Sequence, residues 1–166
     1  TLGRLRAAFS KGGTTTAGNS SQVSDGASAT LIVSRAKAEA ANLPILGVLR
    51  SYSVVGVDPA MMGIGPAEAI PSALSKAGLE ISDIDLFEIN EAFASVPMAW
   101  LKDHDYPHEQ TNVNGGAIAL GHPLGSTGTK LMTTLLHEME RREVRYGLQT
   151  MCEGGGQANV TILERL

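Results

Sequence analysis

From Ile45 onward the apolar pattern changes period again and again, and this alternation restricts the chain to one class of fold. Ile45–Val57 and Ile84–Ile89 are apolar, β-rich runs. Between them Pro66 opens a helical stretch that Gly78 closes, with Ile70 and Leu74 on one face. Pro71 inside that stretch predicts a bend or a late start. Glu91–Lys102 reads as a helix with Phe93, Val96 and Trp100 roughly on one face, and Thr111–Asn114 as a short strand. Ser126–Arg142 is a further helix, its stripe formed by Leu131, Met132, Leu135, Leu136 and Met139. Arg145–Cys152 and Gln157–Leu163 are strands separated only by Gly154, Gly155 and Gly156. The order β-α-β-α-β-α-β-β predicts an α/β fold with a mostly parallel sheet and helices packed on it. The last two strands are too closely joined for a crossover, so they must form an antiparallel hairpin. Upstream, the Gly/Ser/Thr-rich stretch from Gly12 to Gly26 reads as loop or linker, Ala27–Ser34 as a strand, and Arg35–Ala41 as a short helix ended by Asn42 before Pro44.

A chain of 166 residues accommodates one ordinary domain, or one domain plus a piece of another. Aromatic residues are 4% against 19 glycines, so the core must be built from Ala, Val, Ile, Leu and Met. The formal charge is −4 with no clustered basic face, which argues against nucleic-acid binding. The one basic run, Arg141 and Arg142 with Arg145, lies at a predicted helix end and reads as dipole compensation. A single cysteine excludes an internal disulfide and favours a reducing compartment. No apolar run approaches the roughly 20 residues that span a bilayer.

Four segments place glycines and polar groups at predicted strand ends, where open α/β sheets build their sites. In Cys152-Glu153-Gly154-Gly155-Gly156 a thiol precedes bare backbone whose N–H groups can stabilise an oxyanion; the plainer reading is a buried cysteine beside a glycine hairpin. His122 is followed by Pro123 within a loop containing Gly115, Gly116, Gly121 and Gly125, a setting suited to acid–base work. His104, His108 and His137 lack such a setting and read as surface residues. Asn90 in Asn90-Glu91-Ala92-Phe93 is either a helix N-cap or an amide that holds a water or a substrate oxygen. The stretch from Gly13 to Ser21 is either a linker or a donor of hydrogen bonds to a phosphate or pantetheine group.

Taken in order, Asn-Glu-Ala-Phe, then Gly-Gly-Ala-x-Ala-Leu-Gly-His-Pro-x-Gly, then Cys-x-Gly-Gly-Gly, the chain resembles the thiolase family. Gly18-Asn19-Ser20-Ser21, Asp25-Gly26-Ala27 and the Gly63-Ile64-Gly65-Pro66 turn are also similar to thiolase segments. The resemblance covers essentially the whole chain. It implies a thiolase-like β-α-β-α-β-α-β-β domain, one half of a five-layer α-β-α-β-α fold, over residues 44–166, with residues 1–43 as the tail of the N-terminal thiolase domain.

The implied activity is acyl transfer. It is either thiolytic cleavage of a 3-ketoacyl-CoA or Claisen condensation of two acyl-CoA molecules. By this resemblance His122 activates a nucleophilic cysteine and acts on the thioester oxygen together with a water held by Asn90. Cys152 is the acid/base at the α-carbon, and its pKa is expected to be lowered by nearby imidazole and N–H groups. The N–H of Gly154 contributes to an oxyanion hole, Ser21 lies near the CoA pantetheine arm, and Phe93 lines the pocket. No metal or redox cofactor is implied; CoA, acetyl-CoA and other acyl-CoA thioesters are the ligands. The family's nucleophilic cysteine has no counterpart here, because Cys152 matches the other catalytic position. The chain is therefore expected to depend on a missing N-terminal thiolase domain, to be inactive alone, and to form a dimer or tetramer when complete. Gln157-Ala158-Asn159 departs from the Met-Gly common in thiolases, which bears on acyl-chain length and subfamily. The stretch from Glu153 to Asn159 resembles bacterial thiolases and points to a bacterial cytoplasm, whereas Leu43 to Pro71 resembles peroxisomal degradative thiolases, with a peroxisomal matrix as the alternative. Three rival readings are a decarboxylating ketoacyl synthase, a non-catalytic CoA-binding or assembly module, and a Cys/His hydrolase.

Overall fold

The computed structural model describes residues 1–104 and 108–166. At its centre is one sheet of β1 (Val48–Gly56), β2 (Leu86–Ile89), β3 (Tyr146–Glu153) and β4 (Gln157–Glu164), in the order β1-β4-β3-β2. β2 and β3 pair in parallel, while β4 runs antiparallel to both β3 and β1. The fold class is α/β as expected, and β1, β2 and β3 share one direction. The pairing, however, is mixed: only the β2–β3 ladder is parallel. The cause is the glycine hairpin, which turns β4 back beside β3 and so places a reversed strand between β3 and β1.

The helices are α1 (Arg35–Ala40), α2 (Gly65–Ala77), α3 (Ser95–His104), α4 (Ala117–Leu120) and α5 (Thr127–Arg142). Strand alternation sends Phe87, Ile89, Leu148, Val160 and Ile162 to one face of the sheet, where Ala69, Ile70 and Ala73 of α2 and Trp100 of α3 cover them. Leu86 and Leu163 point to the other face, against Leu135 and Met139 of α5. The result is a three-layer α-β-α unit. Small residues set the layer spacing. A Cβ on Gly147 would lie 2.6 Å from Met139 Sδ and 2.9 Å from Leu135 Cγ, so α5 sits directly on bare backbone. This is how a chain poor in aromatics still closes its core.

Several expected elements differ. Ala27–Ser34 forms no strand: Leu31 and Ile32 are 74% and 69% exposed, and an extended segment without a paired neighbour makes no ladder. Thr111–Asn114 contributes only a single bridge, from Thr111 to Phe87. Asn112 turns there with φ of 48°, and its side-chain amide takes over the ladder's role, accepting from Ile89 N at 2.8 Å and donating to Ile89 O at 2.9 Å. α3 begins at Ser95 rather than Glu91, because Phe93 instead bridges to Ser20. α2 runs unbroken through Pro71. The side chains of Arg141 and Arg142 do more than compensate a dipole. Both bond the buried carboxylate of Glu138, at 2.6 and 2.5 Å, while Arg145 pairs with Glu164.

Candidate active site

The C-terminal ends of β2 and β3 lie side by side, held by Asn90 N donating to Thr150 O at 3.0 Å. Asn90 follows β2 directly and is 1% exposed. Since α3 starts five positions later, Asn90 caps nothing, and the helix-cap reading falls. Its Nδ2 is instead 3.3 Å from His122 Nε2, and its Oδ1 is a buried acceptor without a partner among the described residues.

His122 is fixed from its other side. Its Nδ1 lies 2.7 Å from Thr127 Oγ1, which is 2.9 Å from Pro123 O. Thr127 has one hydroxyl hydrogen, and Pro123 O accepts it, so the threonine oxygen must accept from Nδ1–H. The imidazole therefore carries its proton on Nδ1 and presents the Nε2 lone pair to Asn90. Burial, with the Lys130 ammonium nearby, pushes the His122 pKa below its ordinary value of 6.5, which keeps the ring neutral and basic at pH 7. The acid limb of any activity that uses His122 as a base is thus expected to fall below the usual histidine range, and a pH–rate profile checks this.

The loop carrying His122 is anchored by Glu91. Its carboxylate accepts from Asn112 Nδ2 at 2.9 Å and from Ile118 N at 3.2 Å. A Cβ on Gly116 would lie 2.0–2.3 Å from that carboxylate, so a side chain there would push Glu91 off the two groups it holds. Lys130 Nζ donates to Gly121 O at 3.2 Å, next to the histidine.

The N-terminal segment lies across this loop. Ser21 N donates to Ala92 O at 3.0 Å, Gln22 Nε2 donates to Ile118 O at 3.0 Å, and Val23 bridges to His122. Phe93 meets Phe9 edge to face at 5.5 Å. Ser21 and Phe93 are thus brought to the same edge, and the Gly/Ser/Thr-rich stretch packs on the site instead of trailing as a linker. His137 is exposed and faces Glu140, and His108 is exposed. The side chain of His104 lies outside the described residues.

Cys152 sits near the end of β3, opposite Ala158, and is 8% exposed. Burial raises its thiol pKa, and the neighbouring Glu153 adds to this. The expected lowering is therefore corrected: no imidazole bonds the sulfur among the described residues, and desolvation outweighs the backbone hydrogen bond. Gly154 follows in the hairpin with open space where a side chain would stand. Gly156 is different. Its φ is +86°, and a Cβ would lie 2.3 Å from Val57 O. Gly156→Ala is expected to destabilise the protein by about 1–3 kcal/mol, the range for forced overpacking, read as a lower urea midpoint.

Asn90 and His122 are joined directly, and Cys152 is carried on the adjoining strand. Sequence reasoning did not single out Thr127, Glu91, Asn112 or Lys130. Among the described residues no group of three or more His, Cys, Asp or Glu side chains could hold a metal ion, and no helix is long and apolar enough to cross a membrane.

Residues 43–165 match the family model for the thiolase C-terminal domain, and residues 1–36 match that for the thiolase N-terminal domain. The peroxisomal 3-ketoacyl CoA thiolase 1 of Petunia hybrida is 57% identical over 166 residues, covering 99% of this chain and 36% of that protein. The peroxisomal 3-ketoacyl-CoA thiolase of Homo sapiens is 58% identical over 164 residues, covering 98% and 39%. Among solved structures, the Bacillus anthracis acetyl-CoA acetyltransferase superposes with a TM-score of 0.96 at 44% identity, covering 99% of this chain and 42% of that one. Human mitochondrial 3-ketoacyl-CoA thiolase in complex with CoA gives 0.91 at 41% identity, covering 99% and 42%. The chain thus spans well under half the length of these relatives.

Proposed function

Because this chain belongs to the thiolase family, we propose that it supplies the acid–base half of an acyl-CoA C-acyltransferase site, acting on 3-ketoacyl-CoA or on pairs of acyl-CoA. The observation that carries this reading is the Pro123–Thr127–His122–Asn90 relay, which presents a neutral Nε2 lone pair at the end of β2, the strand that pairs with the Cys152-bearing β3. Residues 44–166 act as the C-terminal thiolase domain. Residues 1–43 act as the tail of the N-terminal one, whose remaining part contributes the nucleophilic cysteine. The complete subunit assembles as a dimer or tetramer.

His122 Nε2 takes the proton of the nucleophile as that sulfur attacks the substrate carbonyl. The resulting imidazolium and a water at Asn90 Oδ1/Nδ2 then face the oxyanion. In the cleavage direction the C–C electron pair leaves on the acetyl-CoA carbon, which takes the proton of Cys152. A buried thiol that keeps its proton at neutral pH is suited to that donor step. In condensation the same sulfur must first give up its proton. The N–H of Gly154 faces the acyl-enzyme oxygen, and Ser21 and Phe93 border the path of the pantetheine arm. CoA thioesters are substrates, and the chemistry calls for no metal or redox group. A peroxisomal matrix fits the peroxisomal relatives better than a bacterial cytoplasm.

The test is CoA-dependent cleavage of acetoacetyl-CoA by the protein with the N-terminal part that carries the nucleophilic cysteine present. Turnover is expected. Tight acyl-CoA binding with no turnover would overturn the proposal in favour of a CoA-binding module.

A further inference from the structure

Beneath the Asn90–His122 pair lies a second buried carboxyl group that the chemistry above does not use. Glu88 of β2 and Gln149 of β3 are register partners in the parallel ladder, so their side chains stand together on the α5 face of the sheet. They are 2% and 4% exposed. Glu88 Oε2 and Gln149 Oε1 are both buried acceptors without a hydrogen-bond partner among the described residues. The amide orientation of Gln149 is set, because its Nε2 donates to Gly128 O at 3.1 Å. Flipping the amide would bring an N–H towards Glu88 but would break that bond. Two adjacent orphan acceptors in a dry layer are costly, and one proton placed between them satisfies both.

We propose that Glu88 is a positioning residue held as the neutral acid, donating its proton to Gln149 Oε1 and forming an uncharged strut under the site. The proposal rests on the functional reading above only for its consequence, not for the proton itself. The strut runs from Glu88 to Gln149 to Gly128 O, in the first turn of α5, next to the Thr127 that orients His122. Glu88 also immediately precedes the Ile89–Asn90 end of β2.

The surroundings agree with a neutral carboxyl. Glu91 faces it from the loop after β2, its carboxylate already held by Asn112 and Ile118. Glu138 faces it from α5 as a carboxylate kept well ionised, about 2, by Arg141, Asn114 and Arg142. Lys130, also on α5, is the opposing cation, but its ammonium donates to Gly121 O. Burial, reinforced by Glu91, pushes the Glu88 carboxyl up to about 8, against the pull of Lys130.

The sign of the pH dependence follows. The folded protein keeps a proton on Glu88 that the unfolded chain releases near 4.5. This contribution to stability is complete below that pH and is lost as pH rises towards about 8. Glu88→Gln offers an N–H in place of the acid proton and should flatten that slope.

The test is a 13C-carboxyl NMR titration of the intact protein, with the Glu88 signal assigned by its loss in Glu88→Gln. A neutral carboxyl at pH 7 that titrates near pH 8 is expected. The melting temperature should fall between pH 5 and 8 more steeply in the wild type than in Glu88→Gln. Where the protein turns over acetoacetyl-CoA, the alkaline fall in kcat should move to higher pH in Glu88→Gln, with KM little altered. A Glu88 signal already ionised at pH 6, or equal melting slopes in the two proteins, overturns the proposal. The titration reads the proton without any turnover, so failure of the thiolase assay and failure of the strut remain distinct results.

Discussion

Replacing His122 by alanine is expected to lower cleavage of acetoacetyl-CoA by about 10²–10⁴-fold, the range for loss of a positioned general base. The geometry leaves no substitute. Thr127 is committed to Pro123, Asn90 offers an amide that cannot take up a proton, and Lys130 is bound to Gly121 O. In the role proposed for it the imidazole activates the nucleophile, so both halves of the reaction should fall together, including exchange of the acetyl group between acetyl-CoA and free CoA. Thr127→Val, which removes the hydroxyl and keeps the shape, should reproduce part of this loss through kcat. Without the hydroxyl acceptor, Nδ1 no longer selects the tautomer that bares Nε2. If His122→Ala cleaves acetoacetyl-CoA at near wild-type rate while folded, the relay is structural and the assignment is wrong.

Much of the fold was legible because its signals are local. The α5 stripe, the Pro66 start and Gly78 end of α2, and the two strands flanking Gly154–Gly156 all emerged within a residue or two of expectation. What could not be read depends on partners distant in sequence. Thr111–Asn114 has strand-like residues, but the Asn112 side chain bonds the backbone of Ile89, some 23 positions away, and replaces the ladder. Ala27–Ser34 has strand-like composition without a neighbouring strand to pair with. The mixed pairing of the sheet depends on where β4 is inserted, which periodicity does not encode.

The site divides in the same way. His122 was visible from its glycine-rich loop, and Asn90 from its place at a strand end. Their mutual contact spans 32 positions and appears only in three dimensions. Thr127 carried a weak signal, as a hydroxyl five residues after a histidine and one turn beyond a proline. Glu88 carried a misleading one, since an acidic residue in an apolar run suggests an exposed edge, whereas it is fully buried. For Cys152 sequence reasoning found the residue but assigned the wrong direction of pKa shift. It weighed nearby donors and not the desolvation that the hairpin and β4 impose.

That correction determines how Cys152→Ala should behave. Alanine replaces a small buried group against Ala158, so the protein should remain folded with a stability loss of no more than about 1 kcal/mol. Turnover of acetoacetyl-CoA should nevertheless fall by about 10²–10⁴-fold, because the substitution removes the proton donor proposed for the carbanion leaving the C–C bond. Unlike the His122 variant, Cys152→Ala should retain exchange of acetyl between acetyl-CoA and CoA, since that half-reaction moves no proton at carbon. In Glu88→Gln, which removes the earlier alkaline fall set by Glu88, the raised thiol pKa keeps the Cys152 proton in place beyond the ordinary cysteine range, so cleavage should persist as pH rises until the thiol ionises. Equal loss of exchange and cleavage in Cys152→Ala would place the cysteine in the acyl-transfer step itself. Loss of cleavage with exchange retained, in a protein that stays folded, would identify the buried thiol as the group that holds the α-carbon proton.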